Sequence, residues 1–64
     1  MTGKVKFFND LKGWGFIQED NSDASWFVHH TGAKDKIIQD DLVEFEEGVG
    51  KKGQPIAVNV RRIK

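Results

Sequence analysis

Lys12-Gly13-Trp14-Gly15-Phe16-Ile17 sets the architecture of this chain, and Trp26-Phe27-Val28-His29-His30 answers it further on. Successive side chains of a strand leave on opposite faces. Trp14 and Phe16 therefore share one face, and Gly13, Gly15 and Ile17 share the other. An ordinary half-buried strand would put its large rings inward. Glycine inside a strand marks a tight bend or a close backbone approach, so the glycines belong to the crowded side and the rings form an outward platform. In the second stretch Phe27 and His29 share a face opposite Val28. Pairing the two strands joins Trp14, Phe16, Phe27 and His29 into one aromatic patch, of a kind that small soluble proteins seldom expose without a partner for it.

Working outward, the chain of 64 residues is expected to be one domain, 1–64, close to the lower size limit for independent folding. It contains no cysteine, which leaves out disulfides and thiolate metal sites. Its core is expected from Val5, Ile17, Val28, Val43, Phe45, Val58 and Val60. No run reaches the roughly 20 apolar residues of a membrane span, no signal-peptide pattern opens the chain, and cytoplasmic residence is the expectation. Ten basic and ten acidic residues cancel, but they are unevenly spread. Asp35, Asp40, Asp41, Glu44, Glu46 and Glu47 gather around Lys36 alone, whereas Lys4, Lys6 and Lys12 lie near the aromatic stretches. Lys51, Lys52, Arg61, Arg62 and Lys64 follow in the last third. A basic aromatic side and an acidic side suit a binder that uses one face.

Five strands are expected: Gly3 to Asn9, Trp14 to Gln18, Ser25 to His30, Leu42 to Glu47 and Gln54 to Ile63. The intervening Asn9–Gly13, Glu19–Asp23 and Gly48–Gly53 segments carry turn residues. Ile37 and Ile38 are expected to cover one barrel end, with a short helical turn there. Pro55 fits the first position of a strand, where no ladder donor is needed. Short strands with turn signals at this spacing indicate an all-β barrel or sandwich, and closure removes exposed edges. Phe8 and Trp26 are expected to belong to the core.

These residues carry a resemblance. Lys12-Gly13-Trp14-Gly15-Phe16-Ile17 and Phe27-Val28-His29 resemble the two ribonucleoprotein-type motifs of the cold-shock domain family. Gly3-Lys4-Val5-Lys6-Phe7-Phe8-Asn9 is similar to its opening strand, and Pro55, Ala57, Asn59 and Val60 to its last. The resemblance spans nearly the whole chain and implies an all-β, five-stranded antiparallel barrel of the oligonucleotide/oligosaccharide-binding (OB) fold. It implies binding of single-stranded RNA and single-stranded DNA by a nucleic-acid chaperone. The binding surface it implies falls on Lys6, Phe7, Asn9, Lys12, Trp14, Phe16, Phe27, His29 and His30, with Lys52 from a late loop that is one residue longer here. Some positions depart from the family pattern. Phe7 stands where bacterial members commonly have tryptophan, Trp14 where they usually have phenylalanine, and His30 where many have phenylalanine. Trp26 stands where a smaller aliphatic residue is usual. The Ala33–Asp41 connection is shorter and lacks a further platform phenylalanine, so fewer stacking positions are expected.

Other chemistry finds little support in the sequence. His29 and His30 adjoin, but neighbours on a strand face opposite ways, and zinc needs three or four ligands, so no metal is expected. No nucleophile–base arrangement and no phosphate-binding glycine loop stands out. The expectation is therefore a monomer that is not an enzyme, with no cofactor and no small-molecule substrate. The rival reading is a protein-interaction module that uses the aromatic face.

Overall fold

Two breaks in the strand alternation shape the barrel. The computed structural model describes residues 1–63 and has five strands: β1 (Thr2–Asn9), β2 (Trp14–Glu19), β3 (Ser25–His29), β4 (Leu42–Val49) and β5 (Pro55–Arg62). They close in the order β1-β2-β3-β5-β4. Neighbours are antiparallel except β3 and β5, which close the barrel as a short parallel pair through Phe27–Ile56 and Val28–Ala57. In β1, Val5 pairs with Ile17, but Phe7 pairs with Phe16, which leaves Lys6 as an extra residue. This bulge resets the alternation: Gly3 and Val5 are buried, Phe7 is exposed, and Phe8 turns in to pack on the core.

The second break lies in β5. Glu44 pairs with Arg61 and Glu46 with Val58, so Asn59 and Val60 together oppose Phe45. Asn59 takes a left-handed φ of 51°, a conformation that asparagine adopts more readily than most residues, and its side chain donates to Glu46 Oε1. The bulge corrects one expectation. Ala57 and Val60 point inward, and Val58, expected in the core, is only half-buried.

The core is Val5, Ile17, Val28, Ile37, Val43, Phe45, Ala57 and Val60. The Ala33–Asp41 connection does close one end, as expected, but through Ile37, with Ala33 packed beside the core, and not through Ile38. Ile38 stays exposed, and its amide donates to Asp41 Oδ2 at 2.9 Å. No helical turn forms there; the short 3-10 turn is His30–Gly32, immediately after β3. Trp26 is half-buried against this core, its ring centroid 5.9 Å from that of Phe45, and its indole N–H donates to Glu19 Oε1 at 2.9 Å. The expected strand limits shift only at the ends. β4 runs on to Val49, and β3 stops at His29 because His30 opens the 3-10 turn.

Among the described residues, no helix is long and apolar enough to cross a membrane. Glu44, Glu46 and Glu47 are exposed on β4, which pairs with β1 and β5 and does not adjoin β2. The acidic strand and the Trp14–Phe16 strand are thus separated around the barrel wall.

Candidate nucleic-acid interface

The platform is built by register. Trp14 lies opposite His29 and Phe16 opposite Phe27 across β2–β3, while Phe7 lies opposite Phe16 across β1–β2. Ring centroids are 5.4 Å apart for Phe7–Trp14, 5.9 Å for Trp14–Phe16 and 5.9 Å for Phe16–Phe27, all edge-on. Trp14 and Phe27 stack at 6.2 Å with 23° between their planes. These separations lie in the favourable range for aromatic pairs, so the rings brace one another outside the core. Phe7 is 41% exposed and Phe16 38%, against 2% for Phe45.

Glycine makes the platform possible from behind. A Cβ at Gly15 would collide with the Phe7 carbonyl oxygen and come within 2.7 Å of Phe8 Cα. With no Cβ there, β1 lies close against β2 and brings Phe7 beside Trp14. Gly13 has a left-handed φ of 73°, and a Cβ on it would collide with the His30 ring. The Gly13 carbonyl accepts from His30 N at 2.8 Å, which fixes the start of the 3-10 turn next to the β1–β2 loop.

That turn corrects the expectation for the two histidines. His29 and His30 are not on opposite faces: both are exposed, and their ring centroids lie 4.4 Å apart. Strand alternation ends at His29, so it cannot separate the two side chains. His29 Nδ1 lies 2.9 Å from Thr31 Oγ1, and His30 extends the aromatic row past Trp14.

The polar candidates divide into two groups. Lys6, next to the buried Val5, is exposed, and its Nζ reaches Ser25 Oγ on β3 at 3.5 Å, while the bulge turns Phe7 to the same side. Lys12 is exposed in the β1–β2 loop at the histidine end. Asn9 shapes that loop, since its Oδ1 accepts from Lys12 N at 3.0 Å and its carbonyl accepts from Gly13 N at 2.7 Å. Lys52 is exposed in the β4–β5 loop, just ahead of the strand end where Ile56 pairs with Phe27. Sequence periodicity could not show that Lys6 and Phe7, neighbours in the chain, both serve the outer side. Only the bulge does that.

The family model described as the 'Cold-shock' DNA-binding domain matches residues 1–63. The chain belongs to the cold-shock domain family. It is 46% identical over 55 residues to a cold shock protein of Arthrobacter globiformis, covering 80% of this chain and 82% of that one. It is 42% identical over 66 residues to the cold shock-like protein CspA of Stigmatella aurantiaca, covering 97% and 96%. To the cold shock protein CspV of Vibrio cholerae it is 41% identical over 64 residues, covering 94% and 90%. The closed five-stranded barrel is the OB fold of that cold-shock family, with the aromatic cluster on the outer faces of β1, β2 and β3.

Proposed function

We propose that this cold-shock domain binds single-stranded RNA and DNA with little sequence preference and acts as an ATP-independent nucleic-acid chaperone. The observation that carries this reading is the ring cluster Phe7, Trp14, Phe16 and Phe27, held outside the core on three adjacent strands and continued by His29 and His30. Alternate residues along a strand are about 6.6–6.8 Å apart, a spacing that splayed-out bases can follow. Every base has a π face, so stacking tolerates many sequences. Lys6, Lys12 and Lys52 hold phosphates, and Asn9 positions the loop that presents Lys12. Binding alone then drives strand opening: unpaired bases are captured as they appear, and secondary structure melts. The domain works as a cytoplasmic monomer with neither cofactor nor small-molecule substrate.

Duplexes hide the base faces this platform uses. Titration of tryptophan fluorescence with a single strand should quench the Trp14 signal, whereas a blunt duplex of the same sequence should bind far more weakly. Equal affinity for the two would contradict stacking, and no quenching by any single strand would favour a protein-docking role for the face.

Salt provides a second check. Each neutralised phosphate contributes roughly −0.7 to the slope of log affinity against log salt for single strands. Three lysines give an expected slope of about −2 for a short oligonucleotide. A slope steeper than about −5 would mean that phosphates, rather than bases, dominate.

A further inference from the structure

The two histidines that end the ring row are engaged differently. Their ring centroids lie 4.4 Å apart with 36° between the planes, too close for both to carry a positive charge without cost. His29 Nδ1 accepts from Thr31 N at 3.4 Å and lies 2.9 Å from Thr31 Oγ1, so its lone pair already caps the 3-10 turn. A proton added to Nδ1 would displace that amide contact. The exposed His30 ring has no hydrogen-bond or ion-pair partner among the described residues, and a neutral imidazole keeps one nitrogen as an acceptor.

The charges around the pair come from two segments. Asp10 and Lys12 on the β1–β2 loop, with Lys34, Asp35 and Lys36 after the turn, line the same hollow as His30. Asp35 Oδ2 is taken by the Arg62 amide at 3.0 Å. From the sheet, β2 brings Trp14 opposite His29, and β5 meets the turn at Gly32 through Ala57 and Val58, none of which titrates. Three ammonium groups face two carboxylates, so the free protein gives a protonated His30 no net negative surroundings, whereas a phosphate would.

Resting on the single-strand reading above, we propose that His30 is a proton-dependent phosphate contact, which ties single-strand affinity to pH. Histidine is the side chain whose ordinary charge change falls between about pH 5 and 8. A phosphodiester beside the ring favours the charged form, and by reciprocity the proton favours the bound strand. Binding therefore tightens as pH falls through that range. The 4.4 Å ring separation limits the pair to one proton, and the Thr31 cap on His29 leaves that proton to His30. The charged ring joins the three lysines assigned to phosphates. A phenylalanine here, as in many family members, could stack on a base but never titrate.

The test titrates wild type and His30→Phe with a thymine-only single strand, whose bases keep their charge across this range. Trp14 quenching is followed at about pH 8 and about pH 5.5, with affinities referred to the folded fraction measured by circular dichroism. Wild type should bind roughly three- to ten-fold more tightly at the lower pH, with a salt slope steeper there by about 0.7. Calorimetry in buffers of different ionisation heat should show proton uptake on binding. His30→Phe should show equal affinity at the two pH values within a factor of two, whatever its absolute affinity, and no proton uptake. His29→Gln, which keeps His30, should retain the dependence. Wild-type affinity that is unchanged or weaker at low pH would overturn the proposal. So would a dependence that survives in His30→Phe or vanishes only in His29→Gln. If wild type binds no single strand at either pH, the platform reading itself fails, an outcome distinct from binding that ignores pH.

Discussion

Gly15→Ala should leave the protein largely unfolded at room temperature. The added Cβ would collide with the Phe7 carbonyl oxygen, lie 2.7 Å from Phe8 Cα and 2.8 Å from Phe8 Cδ1. Two of these three neighbours are backbone, so no rotamer change relieves the contact. Relief requires β1 to lift from β2 at the Phe8–Gly15 pair, which breaks the ladder beside the bulge and pulls Phe8 out of its packing on the core. Ordinary overpacking costs about 1–3 kcal/mol, and a clash against backbone should exceed that, reaching about 4 kcal/mol or more. A domain of this size holds only about 3–10 kcal/mol in total. Circular dichroism and urea melts measure the result. A Gly15→Ala variant with a wild-type midpoint would mean that β1 does not sit down on β2 at this point.

Phe45→Ala carries the second large effect, and for a different reason. Phe45 is 2% exposed, faces the β5 bulge, and packs its ring 5.9 Å from that of Trp26. Truncating it leaves a cavity bounded by strands that are already paired on both sides, so the site cannot collapse. The expected cost is about 3–5 kcal/mol. Oligonucleotide affinity should fall only by the fraction of molecules unfolded, and should return to near wild type under conditions that refold the variant. A loss of affinity that persists in fully folded protein would show that the core residue shapes the binding face directly.

The glycine–aromatic alternation from Gly13 to Ile17 was enough to place Trp14 and Phe16 outside and Ile17 inside, and it also indicated a barrel wall pressed close from behind. The inward faces of β3 and β4, and of β1 up to its bulge, are equally readable through Val28, Val43, Phe45 and Val5, because alternation holds around each of them. Period-two alternation carries a strand's phase across its whole length and so puts Val58 inside, whereas the left-handed Asn59 resets that phase. Periodicity alone does not put Lys6 and Phe7 on one side either, and their pairing comes from the family resemblance. Ile37 could be assigned to the barrel end but not told apart from Ile38, since a connection without regular structure has no period to count. Strand geometry puts His29 and His30 on opposite faces, and that geometry lapses where β3 gives way to the 3-10 turn.

The central claim is that the rings on β1–β3 bind bases and are not part of the core, and paired measurements on Phe16→Ala and Phe27→Ala test it most directly. Each variant is titrated with a single strand and melted in urea beside Phe45→Ala. Each should lose about 1–3 kcal/mol of binding, the range for one stacked base. The loss of stability should be clearly smaller than for Phe45→Ala, though not zero, since cross-strand ring contacts contribute roughly 0.2–1 kcal/mol each. Variants that bind as tightly as wild type, or a Phe16→Ala protein that unfolds as readily as Phe45→Ala, would contradict the account.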